Sequence, residues 1–232
     1  MTHFVFPAPA IPALPIAGSD LLFPVNRIYC VGRNYADHAI EMGGTGKEPP
    51  FFFMKPGNAV LPVGQGETGK MPYPPKTEDL HHEIELVVAI GRPGSKIPVD
   101  EAESYIWGYA VGLDMTRRDL QAEAKKQGRP WCTAKGFDYS APVGELMPRA
   151  ATGDISHAGI RLSVNGAERQ HSKISKMIWN VPEIISALSE LYTLQAGDLI
   201  FTGTPEGVAA VKRGDVLEGA IDLLGSLTVE II

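Results

Sequence analysis

Hydrophobic residues occur along the chain in short runs, separated by glycine, proline and polar residues. The runs at 27–32, 49–56, 86–91, 105–113 and 198–201 have the length and the aliphatic or aromatic composition of β-strands. The 25 glycines and 19 prolines favour frequent turns between them. The pattern predicts many short strands, and those after Glu85 and Tyr105 are apolar enough to be buried on both faces.

Helical signals are fewer. Asn34 as N-cap and Gly43-Gly44 as a stop predict a short helix over residues 34–42. Further helices are predicted at 99–104, 116–127 and 181–191, the last with Pro182 in its first turn. Alternating residues around Asn165-Gly166 predict a hairpin over 160–169 with a type I′ turn. The predicted fold class is α+β, mostly β, with a few short helices.

The N-terminal segment differs from the rest. Residues 1–26 are rich in proline with single apolar residues between, which predicts an extended arm that forms no core element. No linker divides the chain after residue 26. We therefore expect an arm over 1–26 and one domain over 27–232.

Three acidic residues stand at the ends of the two most apolar predicted strands. Glu83 and Glu85 are two apart in an extended segment, so their side chains point to the same side, and Asp114 ends the run that starts at Tyr105. Burying neighbouring carboxylates costs several kcal/mol per ion unless a cation compensates. An octahedral Mg²⁺, or Mn²⁺, suits these oxygen ligands. The alternative is a strand mouth where Glu83 and Glu85 are solvated.

Each of the other candidate residues also has an interpretation without function. His38 and Glu41 lie three apart on the predicted helix, where a carboxylate can orient the imidazole for water activation; a solvated helix face is the alternative. Lys55 ends a strand and could meet an acidic substrate or could reach the surface. Lys135 lies between small residues, where a buried lysine could polarise a carbonyl. Arg118 and Gln121 share a helix face and could lean toward Asp114.

Composition limits the function classes. A formal net charge of -6 without a basic stripe argues against nucleic-acid binding. Two cysteines, no signal peptide and no apolar stretch of spanning length favour a reducing cytoplasm and no membrane partner.

These motifs together resemble the fumarylacetoacetate hydrolase family from residue 27 to the end. The segments that carry the resemblance are VGRNYADHAIEMG, FFFMKP, HHEIELVVAIG, GYAVGLDMTRRDLQ, TAKGFD, VNG with MIWNVPEII, and GDLIFTGTPEGV. The resemblance implies a twisted β-sheet roll that forms homodimers, and a Mg²⁺ or Mn²⁺ site built from Glu83, Glu85 and Asp114. It implies His38, Glu41 and Lys135 as catalytic residues. The residues expected to bind substrate are Arg33, Asn34, Tyr35, Lys55, Arg118, Gln121 and Thr204.

The branch most similar in sequence implies hydrolysis of the C–C bond of a 2,4-dioxo acid (an acylpyruvate). Fumarylpyruvate, cleaved to fumarate and pyruvate in gentisate-type aromatic degradation, is the expected substrate. The same site could instead decarboxylate or tautomerise oxaloacetate. A ligand-binding relative without catalysis is a third alternative.

Overall fold

The computed structural model describes residues 3–36 and 48–232. The predicted helix over 34–42, which carries His38 and Glu41, lies outside these residues except for its first positions. Within the described ranges the strands are β1 Ala13–Ile16, β2 Ser19–Pro24, β3 Ile28–Gly32, β4 Phe51–Lys55, β5 Val60–Pro62, β6 Thr68–Met71, β7 Leu80–His81, β8 Ile84–Ile90, β9 Ile106–Leu113, β10 Thr116–Arg117, β11 Ala141–Val143, β12 Met147–Pro148, β13 Gly159–Val164, β14 Ala167–Lys173, β15 Leu199–Phe201, β16 Ala210–Val211, β17 Val216–Ile221 and β18 Gly225–Ile231.

The helices are few and short. Within the same ranges they are α1 Arg118–Lys126, α2 Cys132–Lys135, α3 Arg149–Thr152 and α4 Val181–Leu191, with 3₁₀ turns at Gly57–Ala59, Val99–Tyr105 and Ile174–Lys176. Helix α4 begins with a capping box in which Asn180 accepts from the Glu183 amide and Glu183 accepts from the Asn180 amide. No helix of the described chain is long and apolar enough to cross a membrane.

An eight-stranded sheet forms the centre of the molecule. Its strands follow the order β4-β3-β15-β8-β9-β11-β5, and β12 pairs with β9. Strand β15 runs parallel to β3, and β8 runs antiparallel to both β15 and β9. One end of the sheet therefore contains the last residues of β3, β15 and β9 and the first residues of β8.

Strand β8 is buried on both faces, as the sequence predicts. Leu86 and Val88 belong to the larger apolar core, whereas Val87 and Ala89 belong to a second core on the opposite face. Glu85 is two residues before Val87, so its side chain points to the same face of β8, the face of the second core. It lies at the start of the strand, close to the end of the sheet.

A five-stranded sheet, in the order β14-β13-β17-β18-β6, packs on the larger core together with α4. Its first hairpin turns at Asn165 and Gly166, whose φ angles of 52° and 77° are those of a type I′ turn. The predicted hairpin is confirmed, and so is the mostly β fold class with few helices.

The N-terminal segment contradicts one expectation. Strands β1 and β2 pair as an antiparallel hairpin, and Leu14 and Phe23 are buried in the second core. The amide of Ala17 also donates to the carbonyl of Leu146. The expectation that residues 1–26 contribute no core element is wrong for this hairpin, because contacts distant in sequence order a segment whose local pattern is irregular. Whether the chain divides at residue 26 stays a prediction.

Candidate active site

The register of β8 against β9 brings the predicted carboxylates together. Ile84 pairs with Leu113, and the amide of Asp114 donates a 2.8 Å hydrogen bond to the Glu83 carbonyl just beyond that pair. Oxygen atoms of Glu83, Glu85 and Asp114 all lie within 4.8 Å of one another, and the three residues are at most 5% exposed. The alternative of a solvated strand mouth is therefore wrong.

Glu85 is a buried carboxyl whose pKa is strongly shifted. Burial raises its pKa well above the ordinary value, and the neighbouring Asp114 and Glu83 raise it further. The amide of Gly203 opposes this effect by donating a 2.7 Å hydrogen bond to Glu85 Oε2. At Gly203 φ is +97° and an added Cβ would lie 2.6 Å from the Cβ of Asn34, so only glycine fits this position.

Basic side chains balance the cluster. Lys135 Nζ lies 2.7 Å from both Glu83 Oε2 and Asp114 Oδ2, and Arg118 donates to Glu83 Oε1 at 2.6 Å. Burial alone would lower the pKa of Lys135, but Asp114 and Glu83 raise it above its ordinary value. Lys135 is therefore a buried ammonium directed at two of the three carboxylates.

Lys55 is also buried, so the alternative of a surface lysine is wrong. Its Nζ lies 2.8 Å from Asp114 Oδ1 and donates to the carbonyls of Met115, at 3.1 Å, and Lys135. Because both ends of this ion pair are fully enclosed, Lys55 holds Asp114 and the α2 backbone in place.

The carboxylate group fits a hard divalent cation. Its donors are all carboxylate oxygens, and they converge within one coordination sphere. Glu83, Glu85 and Asp114 are the residues that could hold Mg²⁺ or Mn²⁺. No cysteine or histidine joins the group among the described residues, which disfavours zinc.

A cleft opens beside this cluster. Its lining combines carboxylates, cations and aromatic rings: Val31, Gly32, Arg33, Phe53, Glu83, Glu85, Arg118, Gln121, Trp131, Lys135 and Thr204. Trp131 packs edge-on against Phe51 and Phe53, with ring centroids 5.4 and 5.7 Å apart. Trp131 and Phe53 were not predicted as site residues, because aromatic residues in short apolar runs have no pattern that separates a cleft wall from a core.

Arg33 is the cation of the cleft that faces none of the three carboxylates. Its φ is 57°, in the left-handed region, and its guanidinium lies 5.9 Å from the ring centre of Phe51. Its Nε atom is buried without a hydrogen-bond partner among the described residues. The left-handed backbone and the buried Nε make Arg33 a candidate to contact an anionic ligand, a role that stays a prediction.

Arg118 and Gln121 lie together on α1, as expected, but they do not lean toward Asp114. Arg118 Nη1 donates to Gln121 Oε1 at 2.6 Å, while its Nη2 binds Glu83. The pair therefore connects α1 to the carboxylate at the start of β8.

Asn34 and Tyr35 are buried beside the cleft. The Asn34 amide donates to the carbonyls of Trp179 and Thr202, at 2.9 and 2.7 Å, and accepts from the Trp179 amide at 2.8 Å. Burial raises the pKa of Tyr35, whose hydroxyl has no partner in the described chain. The contacts of Asn34 join the ends of β3 and β15; substrate contact by either residue stays a prediction.

One buried polar residue was missed. Gln170, in β14, bridges His82, Ile84 and Thr204 through its side-chain amide. A single glutamine in an alternating strand gives no local signal that it faces inward. His38 and Glu41 lie outside the described residues, so their role as a catalytic pair stays a prediction.

Comparison with known proteins agrees with this geometry. Residues 27–232 match the family model described as "Fumarylacetoacetate (FAA) hydrolase C-terminal". The fumarylpyruvate hydrolase from Pseudomonas aeruginosa, solved in complex with Mn²⁺ and pyruvate, superposes with a TM-score of 0.98 at 54% identity, over 99% of each chain.

Curated relatives have a different named activity. "Oxaloacetate tautomerase FAHD1, mitochondrial" of Rattus norvegicus is 47% identical over 195 residues, which are 84% of this chain and 86% of that protein. "Oxaloacetate decarboxylase, mitochondrial" of Dictyostelium discoideum is 41% identical over 195 residues, 84% of this chain and 88% of that protein.

Proposed function

Because the chain belongs to the fumarylacetoacetate hydrolase family, we propose that it is a metal-dependent hydrolase that cleaves fumarylpyruvate to fumarate and pyruvate. The observation that carries this proposal is the buried group of Glu83, Glu85 and Asp114 beside a cleft that also contains Lys135 and Arg33. The 54% identity to a fumarylpyruvate hydrolase over the whole chain supports it.

The three carboxylates would hold the metal, Mg²⁺ or Mn²⁺. When bound, such an ion supplies Lewis-acid catalysis, which polarises substrate oxygens and stabilises developing negative charge. The neighbouring contacts keep the ligands oriented: Gly203 donates to Glu85, and Lys55 pairs with Asp114.

Lys135 is suited to stabilise an oxyanion. Its ammonium is buried, charged and hydrogen-bonded on the cluster side, so an oxygen that becomes negative beside it gains a charge-assisted hydrogen bond in a dry environment. In our proposal water attacks the C4 carbonyl of the dioxo acid, Lys135 stabilises the tetrahedral oxyanion, and the C3–C4 bond then breaks. Its electron pair passes to C3, which takes up a proton to give pyruvate.

Arg33 is our candidate for the distal carboxylate of the fumaryl group. Lys55, the other cation that the sequence suggested, is committed to Asp114 and is shielded from the cleft. Arg33 lines the cleft and retains a buried donor, so a planar carboxylate can pair with its guanidinium. Gln121 and Thr204 complete the polar lining.

Water activation is assigned to His38 oriented by Glu41. This assignment rests on the family motif and on the sequence spacing alone. It implies that His38→Ala abolishes hydrolysis while sparing any reaction that needs no attacking water.

A second candidate function is decarboxylation or tautomerisation of oxaloacetate. The 47% identity to an oxaloacetate tautomerase favours it, and both reactions use a 2-oxo acid that the same carboxylate-held cation and Lys135 could stabilise as an enolate. Oxaloacetate also has a distal carboxylate, but its chain is shorter than that of fumarylpyruvate.

Parallel turnover measurements test the two functions. One EDTA-treated preparation, assayed with and without Mg²⁺ or Mn²⁺, is given fumarylpyruvate, acetylpyruvate and oxaloacetate. A dominant kcat/KM for fumarylpyruvate supports our proposal. Metal-dependent turnover of oxaloacetate with only trace hydrolysis would replace it by the second function.

Location and assembly are parts of the same proposal. Cys30 is buried, Cys132 is exposed, and neither forms a disulfide, which suits the reducing cytoplasm that we propose. We also propose a homodimer, by analogy with the family. Light scattering after size exclusion, which gives a mass of one or two chains, tests the dimer.

A further inference from the structure

Gln170 connects three parts of the site through one buried amide. Its Oε1 accepts from the Ile84 amide at 3.1 Å and lies 2.9 Å from His82 Nδ1. Its Nε2 donates to Thr204 Oγ1 and to the carbonyl of Pro205, both at 2.8 Å. Gln170 itself is 1% exposed, so solvent cannot replace any of these partners.

The orientation of this amide is fixed by chemistry. A backbone amide can only donate and a backbone carbonyl can only accept, so Ile84 requires the oxygen of Gln170 and Pro205 requires its nitrogen. Flipping the amide would break both bonds. His82 must then carry a proton on Nδ1 to donate to Oε1.

The same hydrogen bonds determine in which direction the Thr204 hydroxyl donates and accepts. Its Oγ1 accepts from Gln170, and no acceptor for its own proton lies within hydrogen-bonding distance in the described part of the chain. Thr204 lines the cleft beside Glu85 and Lys135. Its hydroxyl is therefore held with the proton available to an oxygen in the cleft.

We propose that Gln170 is a positioning residue, which holds the Thr204 hydroxyl as a hydrogen-bond donor to a carboxylate or keto oxygen of the bound 2-oxo acid. Gln170 itself contacts no substrate. It also fixes the backbone at Ile84, between the carboxylates Glu83 and Glu85. This inference rests on the proposed function, which supplies the class of ligand. It requires only that an oxygen of the ligand comes within hydrogen-bonding distance of Thr204.

A double-mutant cycle tests the coupling. Thr204→Val removes the donor, and Gln170→Met removes the support with little change in volume. Each is expected to lower kcat/KM about 10- to 100-fold, the range for a hydrogen bond to a charged group. The double variant should be no more than about threefold worse than Gln170→Met, because the support for the Thr204 donor is already lost in that variant. Thr204→Ser should retain most of the activity.

Leu162→Ala is the matched control. Leu162 is the cross-strand partner of Gln170 in β13 and is equally buried, but its aliphatic side chain cannot hydrogen-bond to Thr204. It should lower the melting temperature at least as much as Gln170→Met while leaving kcat/KM nearly unchanged. If Gln170→Met does not fold, Gln170→Glu takes its place, since a carboxylate keeps the oxygen but cannot donate to Thr204.

Pyruvate binding to the Mn²⁺-loaded protein, measured by calorimetry, is a second readout that needs no turnover. If wild type cleaves neither fumarylpyruvate nor oxaloacetate, the proposed function fails, and the cycle is still decided on the dissociation constant of pyruvate. Multiplicative effects of the two substitutions, an unaffected Gln170→Met variant, or an equal loss in Leu162→Ala would each overturn the role of Gln170.

Discussion

The backbone amide of Asp114 donates a 2.8 Å hydrogen bond to the carbonyl of Glu83. This bond extends the β8–β9 ladder by one step past the pair of Ile84 and Leu113. The main-chain register alone thus places these two residues next to each other. The site is built at the end of two long and almost entirely buried strands, which suits ligands that must keep a fixed separation.

The metal assignment predicts opposite results for buried and exposed carboxylates. Glu85→Gln should weaken Mn²⁺ binding by at least about 100-fold, because even partners that only orient ligands cost about 10- to 100-fold when removed. Activity should fall in parallel, and EDTA should abolish it in wild type until Mg²⁺ or Mn²⁺ is restored. Glu123→Gln, an exposed carboxylate on α1, is the control. Calorimetric titration with Mn²⁺ measures both; unchanged affinity in Glu85→Gln would disprove the assignment.

Lys135→Met should separate metal binding from catalysis. Loss of one oxyanion donor costs about 10²- to 10³-fold in kcat, whereas Glu83, Glu85 and Asp114 remain to bind the ion. Lys135→Arg should not restore the rate, because a planar guanidinium cannot occupy the compact position 2.7 Å from both Glu83 and Asp114. Steady-state kinetics with Mn²⁺ titration checks this, with the exposed Lys126→Met as control. A normal kcat in Lys135→Met would exclude Lys135 from the chemistry.

The role proposed for Arg33 predicts which acylpyruvate the enzyme prefers. Arg33→Ala should raise KM for fumarylpyruvate about 10- to 100-fold, the effect of losing a charge-assisted hydrogen bond, and leave acetylpyruvate nearly unchanged. Arg117→Ala is the control, since Arg117 stacks 4.5 Å from the ring centre of Phe137 and does not line the cleft. Equal losses for both substrates would mean that Arg33 does not read the distal carboxylate.

The strands that build the site could be predicted from the sequence because their signals are local. The apolar runs of β8 and β9 specify burial on both faces, and a side-chain period of two places Glu85 with Val87. The Asn165-Gly166 turn is likewise encoded in two adjacent residues.

Other features depend on contacts that no local pattern records. The β1–β2 hairpin is ordered by burial of Leu14 and Phe23 in a core made by later strands. Lys55 reaches Asp114 only because the sheet curls, and Gln170 meets Thr204 across two sheets. A lysine at a strand end and a glutamine in a strand look the same in sequence whether they face water or the interior.

The hydrogen bonds of Asp119 predict that part of the free energy of unfolding depends on pH. Burial raises its pKa, but hydrogen bonds from Thr77 and from the amides of Glu78 and Leu120 lower it more, to below the ordinary 3.8. A carboxyl with a lowered folded pKa stabilises the protein above its unfolded pKa, and the contribution is lost as the pH falls through the folded value.

The Asp119→Ala variant should therefore lose about 1 kcal/mol at pH 7, because this half-buried site is partly screened by solvent. The difference from wild type should shrink below pH about 4. Urea unfolding from pH 7 downward measures it, with Glu123→Ala as a helix control. A difference that does not change with pH would assign the effect to packing.

Asp198 is expected to matter for stability but not for chemistry. It is fully buried and accepts from the side chains of Asn26 and Arg27, at 2.8 and 2.6 Å, and from the Gln195 amide at 2.8 Å. These bonds join the starts of β3 and β15, at the end of the sheet away from the cleft.

Removing the Asp198 carboxylate leaves several buried donors unpaired, so Asp198→Ala should lower the free energy of unfolding by about 2–4 kcal/mol. Asp198→Asn keeps the acceptor oxygen and should lose less. The exposed ion pair of Arg161 and Asp222 gives the contrast: Asp222→Ala should change stability little. Urea unfolding gives the stabilities, and kcat/KM measured well below the melting temperature should match wild type in all three variants. A selective loss of kcat/KM in Asp198→Ala would show that the far end of these strands also sets the geometry of the site.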